Sequence, residues 1–293
     1  MITIAPHLWY DTEAREAAEL YVSTFEGSRI RSTIVLHGTP SGSVEIVTAE
    51  LAGQEFTLLS AGPKFRFTPA ISFLVSCRTS EEVDAIWSRL ADGGKALMEL
   101  ASYPFSERYG WTEDRYGVSW QVMHAGERTI TQKIIPTLLF VGEVCGKAEE
   151  AIHFYTSVLP GSSPGPVDRY GKGEEPDREG TVKHASFTLA GQQFGAMDSA
   201  HAHDFTFNDA VSLMVRCDSQ QEIDEYWSRL SAVPEAEVCG WLKDRYGVSW
   251  QITPSMLDEI LATGDARKLE RVTEALLKMK KLDIATLERA VEG

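Results

Sequence analysis

Gly110-Trp111-Thr112-Glu113-Asp114-Arg115-Tyr116-Gly117-Val118-Ser119-Trp120-Gln121 returns as Gly240-Trp241-Leu242-Lys243-Asp244-Arg245-Tyr246-Gly247-Val248-Ser249-Trp250-Gln251. From Asp114 to Gln121 every residue recurs unchanged, 130 positions later. Chemically the stretch is a tight turn feeding a strand. Asp-Arg-Tyr-Gly supplies a side chain that bonds its own backbone and a glycine that tolerates positive φ. Val-Ser-Trp-Gln-Val then alternates as a half-buried strand does. Val118, Trp120 and Val122 point one way, Ser119, Gln121 and Met123 the other.

The repeat extends outward from this signature. Pro6 answers to Pro136, Tyr21 to Tyr155, and Leu51-Ala52-Gly53-Gln54 to Leu189-Ala190-Gly191-Gln192. Phe65 to Cys77 maps onto Phe205 to Cys217, and Trp87-Ser88-Arg89-Leu90 onto Trp227-Ser228-Arg229-Leu230. The offset changes only between these blocks, so insertions fall in connections, as in a duplicated domain. In the first copy the patterns predict a strand over 5–11, a helix over 12–24, a hairpin over 45–51 and 55–60, a buried strand over 70–77 and a helix over 80–90. In the second they predict strands over 135–141, 181–189 and 193–198 and a helix over 147–158. Pro160 to Gly180 reads as a mobile loop. Beyond Pro254 the pattern is purely helical, with Ser255, Asp265 and Asp283 as caps and Leu269, Val272, Leu276 and Met279 as one stripe. The expected division is 1–124 and 125–254 for the two copies and 255–293 for a helical tail that braces them.

With 293 residues, 43% of them hydrophobic, the chain can bury two cores. A net charge of −15 argues against nucleic acid or an anionic membrane as partner. The opening Met1 to Pro6 reads as the start of a strand rather than a signal peptide. Cys77, Cys145, Cys217 and Cys239 make no Cys-x-x-Cys pair, so buried free thiols and a reducing cytoplasm are expected.

Pro6-His7-Leu8-Trp9-Tyr10-Asp11, the Glu-Ala-Ala-x-x-Tyr helix, Ala70-Ile71-Ser72-Phe73 and the doubled signature resemble the PhnB-like branch of the glyoxalase/bleomycin-resistance/dioxygenase group, the vicinal-oxygen-chelate superfamily. That branch often carries the label 3-demethylubiquinone-9 3-methyltransferase. The resemblance covers about residues 1–124 and 130–254. It implies an α+β fold of two tandem glyoxalase-like domains, each of paired βαβββ modules whose curled mixed sheet forms a cup. In that superfamily cups take small molecules, often through a divalent metal held by His, Gln and Glu.

Strand alternation selects the side chains that face a cup. Leu8 and Tyr10 suit the helix-packed side of the first strand, leaving His7 and Trp9. Val47, Ala49 and Leu51 suit the core, leaving Ile46, Thr48 and Glu50. Ser119 and Gln121 face the cup from the signature strand. The first copy thus offers His7, Glu50 and Gln121 as a nitrogen-and-oxygen metal set, and the second offers Thr137, His184, Ser186, Thr188 and Gln251. Ligand contacts are expected from Trp9, Trp111, Ser119, Gln121, His184, Trp241, Ser249 and Gln251. The pattern departs from metal-dependent relatives in two places. Gln replaces the usual terminal-strand Glu in both copies, and Phe56-Thr57-Leu58-Leu59 lacks the other acid. Each residue also has a structural reading: His7 and the glutamines as hydrogen-bonded sheet residues, Glu50 on a solvated face, the tryptophans as plugs. His201 and His203 lack a third ligand.

Three functions compete. One is a metal-assisted lyase, isomerase or oxygenase, whose metal chemistry is assigned to the first copy. Another is a metal-free protein that binds or sequesters a small molecule. The third, methyl transfer, lacks the glycine-rich turn after a parallel strand that common S-adenosylmethionine enzymes use. The partner in all three is a small molecule, and the chain is an internal pseudo-dimer, with homodimerisation left open.

Overall fold

The computed structural model describes residues 2–293; Met1, with which the opening-strand reading begins, lies outside them. The first copy runs β1 (Thr3–Tyr10), α1 (Ala14–Thr24), β2 (Arg29–Thr39), β3 (Gly42–Leu51), β4 (Gln54–Ser60), β5 (Ile71–Cys77), α2 (Ser80–Leu90), β6 (Lys95–Tyr103), β7 (Ser106–Glu113) and β8 (Ser119–His124). The second runs β9 (Ile134–Phe140), α3 (Ala148–Val158), β10 (Ser163–Arg169), β11 (Val182–Leu189), β12 (Gln192–Asp198), β13 (Val211–Cys217), α4 (Gln220–Leu230), β14 (Trp241–Lys243) and β15 (Ser249–Pro254). The tail is α5 (Met256–Thr263), α6 (Ala266–Leu276) and α7 (Ile284–Glu292).

These strands form two open sheets, and neither belongs to one copy. Sheet A has the order β14-β15-β13-β1-β4-β3-β2, and sheet B the order β10-β11-β12-β9-β5-β8-β7-β6. The copies are joined by antiparallel pairing of β1 with β13 and of β5 with β9. Each cup is therefore built from a module of each copy, which corrects the expectation of one cup per copy. The convex faces meet in a common core, where Phe56 of β4 lies 5.2 Å, ring to ring, from Phe73 of β5. Helices α1 to α4 fill that core with fully buried residues such as Tyr21 and Tyr155. Cys77 and Cys217 are buried free thiols, pushed up to about 12 by burial.

The signature is the knot that ties helix to strand. Asp114 Oδ1 accepts from the backbone N–H groups of Tyr116 (2.9 Å) and Val118 (3.0 Å). Its Oδ2 accepts from Tyr21 Oη (2.6 Å) and Trp120 Nε1 (2.9 Å). Asp244 repeats all four bonds with Tyr246, Val248, Tyr155 and Trp250. Gly117 and Gly247 close the turn at φ of 90° and 89°, which an L side chain adopts only under strain.

Several local readings need correction. The segment 160–180 carries the edge strand β10, paired with β11. Pro164 and Pro166 are tolerated there because an edge strand leaves one row of backbone groups unpaired. The alternating run β2 was missed as a strand. Ser255 is itself helical and caps nothing; its hydroxyl bonds Cys217 O and Asp218. Helix α1 begins at Ala14 rather than at 12, and its first N–H, at Ala14, is met by Ser60 Oγ. Helix α6 stops at Leu276, so Met279 lies beyond the helix whose stripe it was expected to complete, and the carbonyls of Met279 and Lys280 accept from Cys239 and Gly240 N–H.

Asp265 and Asp283 do cap α6 and α7. Ile34 and Leu36 of β2 pack with Leu269 and Val272 of α6 and Leu287 of α7. Ile34 pairs with Ile46, so this contact is on the concave side of sheet A. The tail then reaches Cys239 and Gly240 beside β14, the opposite edge. It links the two edges of sheet A across that sheet's hollow. Leu269→Ala is expected to lower the unfolding free energy by about 2–3 kcal/mol in urea titrations. An unchanged midpoint and slope would mean that α6 holds nothing down.

Candidate functional site

A transverse row of polar side chains crosses the floor of each cup. In sheet A the register sets Thr57, His7, Ser212 and Ser249 side by side on β4, β1, β13 and β15. All four are buried, with His7 at 5% exposure. Gln251 Nε2 donates to Ser212 Oγ at 2.9 Å. In sheet B the equivalent row is Gly195, Thr137, Ser72 and Ser119 on β12, β9, β5 and β8. A side chain at Gly195 would meet Thr137 Oγ1 at 2.7 Å, so glycine lets β12 approach. Gln121 Nε2 donates to Ser72 Oγ (2.8 Å), and Tyr109 Oη donates to Gln121 Oε1 (2.7 Å). Trp111 Nε1 donates to Ser119 Oγ at 2.7 Å.

The two floors differ in what lies above them. In sheet A, Trp241 sits edge-on to His7 at 5.3 Å between ring centroids, and Trp9 meets Trp241 at 6.1 Å. Trp9 Nε1 is anchored on Gly62 O at 2.9 Å. Trp9 and Trp241 thus stand edge to edge over the His7 end of the floor. His7 Nδ1 is buried with no hydrogen-bond partner among the described residues. Burial, reinforced by the Arg216 charge, lowers the His7 pKa to about 3, so the ring is neutral at pH 7.

Sheet B presents Leu74, Tyr109 and Met123 as a buried patch, bordered by Met98, Tyr103, Trp111 and Ile135. Next to it, between the β6–β7 turn and the segment after β8, lies a cavity of about 620 Å³ lined by Phe105, His124 and Arg128 among others; Phe105 touches Tyr109 and Arg128 touches Met123. Phe105 is 54% exposed and stacks on Tyr103 at 5.6 Å between centroids. Burial raises the pKa of the Tyr109 hydroxyl, which keeps it a donor to Gln121.

The expected metal set does not assemble. His7 lies in sheet A and Gln121 in sheet B. Glu50 is in sheet A, but Arg29 Nη2 (2.9 Å) and Arg31 hold its carboxylate. Those guanidinium contacts lower its pKa, Arg31 contributing most. What faces His7 is hydroxyls and an amide, a neutral set that fits a divalent cation poorly. No group of three or more His, Cys, Asp or Glu side chains able to hold an ion occurs among the described residues. The expected ligand contacts divide into Trp9, Trp241, Ser249 and Gln251 in cup A and Trp111, Ser119, Gln121 and His184 in cup B, with His184 exposed on β11. Thr57, Ser72, Tyr109 and Ser212 were missed. Ser72 and Ser212 had a signal, a hydroxyl at equivalent places in two otherwise apolar runs.

The sequence profile of the family described as 3-demethylubiquinone-9 3-methyltransferase matches residues 2–123 and again 132–253. A PhnB protein from Bacillus cereus is 39% identical over 41% of this chain and 98% of its own, with a TM-score of 0.39. Glyoxalase I from Zea mays is 12% identical over 90% of this chain and 97% of its own, at a TM-score of 0.55. That second likeness is one of fold: tandem copies with glyoxalase-like mixed sheets. No curated protein matches. No helix among the described residues is long and apolar enough to cross a membrane.

Proposed function

Since the chain belongs to the 3-demethylubiquinone-9 3-methyltransferase family, we propose that it binds a small organic molecule in the cup of sheet B and does so without a metal ion. The occupant is flat and largely apolar. The observation that carries this reading is the patch of Leu74, Tyr109 and Met123 lying against exposed Phe105, a cavity-lining residue whose ring is 5.0 Å from that of Tyr109. Pockets of this kind bind by apolar area, with a few polar groups fixing orientation. Here Gln121, Tyr109 and Ser119 are those groups. Cup A, plugged by Trp241 and backed by the tail, serves structure. The methyl transfer in the family's name draws no support from these residues, because Asp11-Thr12-Glu13 follows β1 where a glycine-rich cofactor turn would stand.

The reading is tested with 8-anilinonaphthalene-1-sulfonate as a flat apolar probe, titrated into chelator-treated protein. Saturable one-site fluorescence enhancement is expected. Trp111→Ala should weaken it about tenfold or more, and Trp241→Ala by less than about twofold, with circular dichroism verifying that both variants are folded. Equal weakening by both variants would overturn the assignment to cup B. Binding that returns only with added divalent metal would overturn the metal-free reading.

A further inference from the structure

A separate cavity of about 510 Å³ lies where the two sheets meet, lined by Thr3, Gln54, Glu55, Lys133, Gln192 and Arg216, among others. Gln54 and Gln192 are the same position in the two copies, each opening a strand after an Ala-Gly turn with the alanine at φ of 48°. Their amides are incompletely used. Gln54 Nε2, Gln54 Oε1 and Gln192 Oε1 are buried with no hydrogen-bond partner among the described residues; Glu55 Oε1 beside them also lacks a well-aligned hydrogen bond but has the Arg216 guanidinium at 2.5 Å. A buried polar atom left unpaired is costly, and three of them on two residues that line one cavity point to something that completes them.

The charged groups of the wall are already matched. Arg216 Nη2 lies 2.5 Å from Glu55 Oε1, and its Nε pairs with Asp258. Lys133 Nζ lies 2.5 Å from Glu82 Oε1. An ionic occupant would therefore add an unbalanced charge to a partly desolvated site. The unused atoms include both acceptors and a donor. An ammonium group has no acceptor for Gln54 Nε2, whereas a hydroxyl can both donate and accept.

We propose that this junction binds a small neutral polyhydroxylated molecule, a polyol or a monosaccharide, whose hydroxyls complete the amides of Gln54 and Gln192. The site is independent of the sheet B cup. It places one ligand between the two copies, in contact with equivalent residues of each.

Xylitol and glucose are the probes, followed by saturation-transfer NMR and calorimetry on the full chain. One of them should bind saturably with a stoichiometry of about one, and Gln54→Leu and Gln192→Leu should each weaken it about tenfold or more. Trp111→Ala should leave it unchanged, which separates this site from the cup. If Gln54→Leu fails to fold, Gln192→Leu carries the comparison alone. The proposal is overturned if neither probe binds saturably, leaving water as the occupant, or if a folded leucine variant binds as the parent does. Tighter binding of methylammonium than of either probe would also overturn it.

Discussion

Asp114→Ala is expected to lower the unfolding free energy by about 4–6 kcal/mol. The side chain is 3% exposed and its two oxygens receive four donors. Two of those donors, Tyr21 and Trp120, are themselves buried to 0% exposure. Burial pushes the carboxyl pKa up, while Tyr21, Trp120 and the backbone of Tyr116 and Val118 pull it back. Alanine removes every acceptor at once and strands the donors, at about 1–3 kcal/mol for each that finds no water. Tyr21→Phe gives a graded comparison, since it removes one donor and leaves the others bonded; about 1–2 kcal/mol is expected. Asp244→Ala should repeat the large loss. Urea or thermal unfolding reads all three. Losses of equal size from Tyr21→Phe and Asp114→Ala would mean that the carboxylate is not the hub.

Acidification should destabilise the protein through His7. The ring has a pKa of about 3 when folded, against 6.5 for the free side chain. Between those values the unfolded chain binds a proton that the folded chain does not, so stability rises with pH. The contribution is fully present above the unfolded value and is lost as pH falls toward the folded one. Its slope is about 1.4 kcal/mol per pH unit. His7→Thr installs the residue found at the equivalent position, Thr137, and removes this dependence. Carboxylates also titrate in acid, so the informative quantity is the difference between parent and variant, from about pH 7 to about pH 4. The parent should lose stability relative to the variant as pH falls. Parallel curves would show that His7 is solvated or paired in the folded state.

Much of the fold was legible because the repeated elements carry local signals. Helix α2 was placed to the residue by the helical spacing of Val83, Ile86, Trp87 and Leu90; its Thr79 cap was not foreseen. Strand faces were legible too: Leu8, Val47 and Trp120 are buried in the core, while His7 and Gln121 lie on concave floors. What alternation could not tell is which strands share a sheet. That depends on β1 pairing with β13, a contact between residues as far apart as Thr3 and Arg216. The period of two places a side chain on a face and is silent about the partner across the sheet. His7 and Gln121 were therefore joined in one cup when they floor two. Strand β2 escaped because its alternation is punctuated by arginines and its inner face is covered by the tail, which no hairpin pattern anticipates.

The exchange of modules between the sheets also bears on how the two cups can change over time. In a pair of identical chains related by a two-fold axis, every substitution alters both sites together. Here positions 7 and 137 are written separately in one chain, as are 57 and 195, and they now hold His and Thr, Thr and Gly. Each floor can drift alone while the β1–β13 and β5–β9 seams keep the pair assembled. One hollow can change its lining while its sibling keeps its own, a division of labour that identical subunits could not reach.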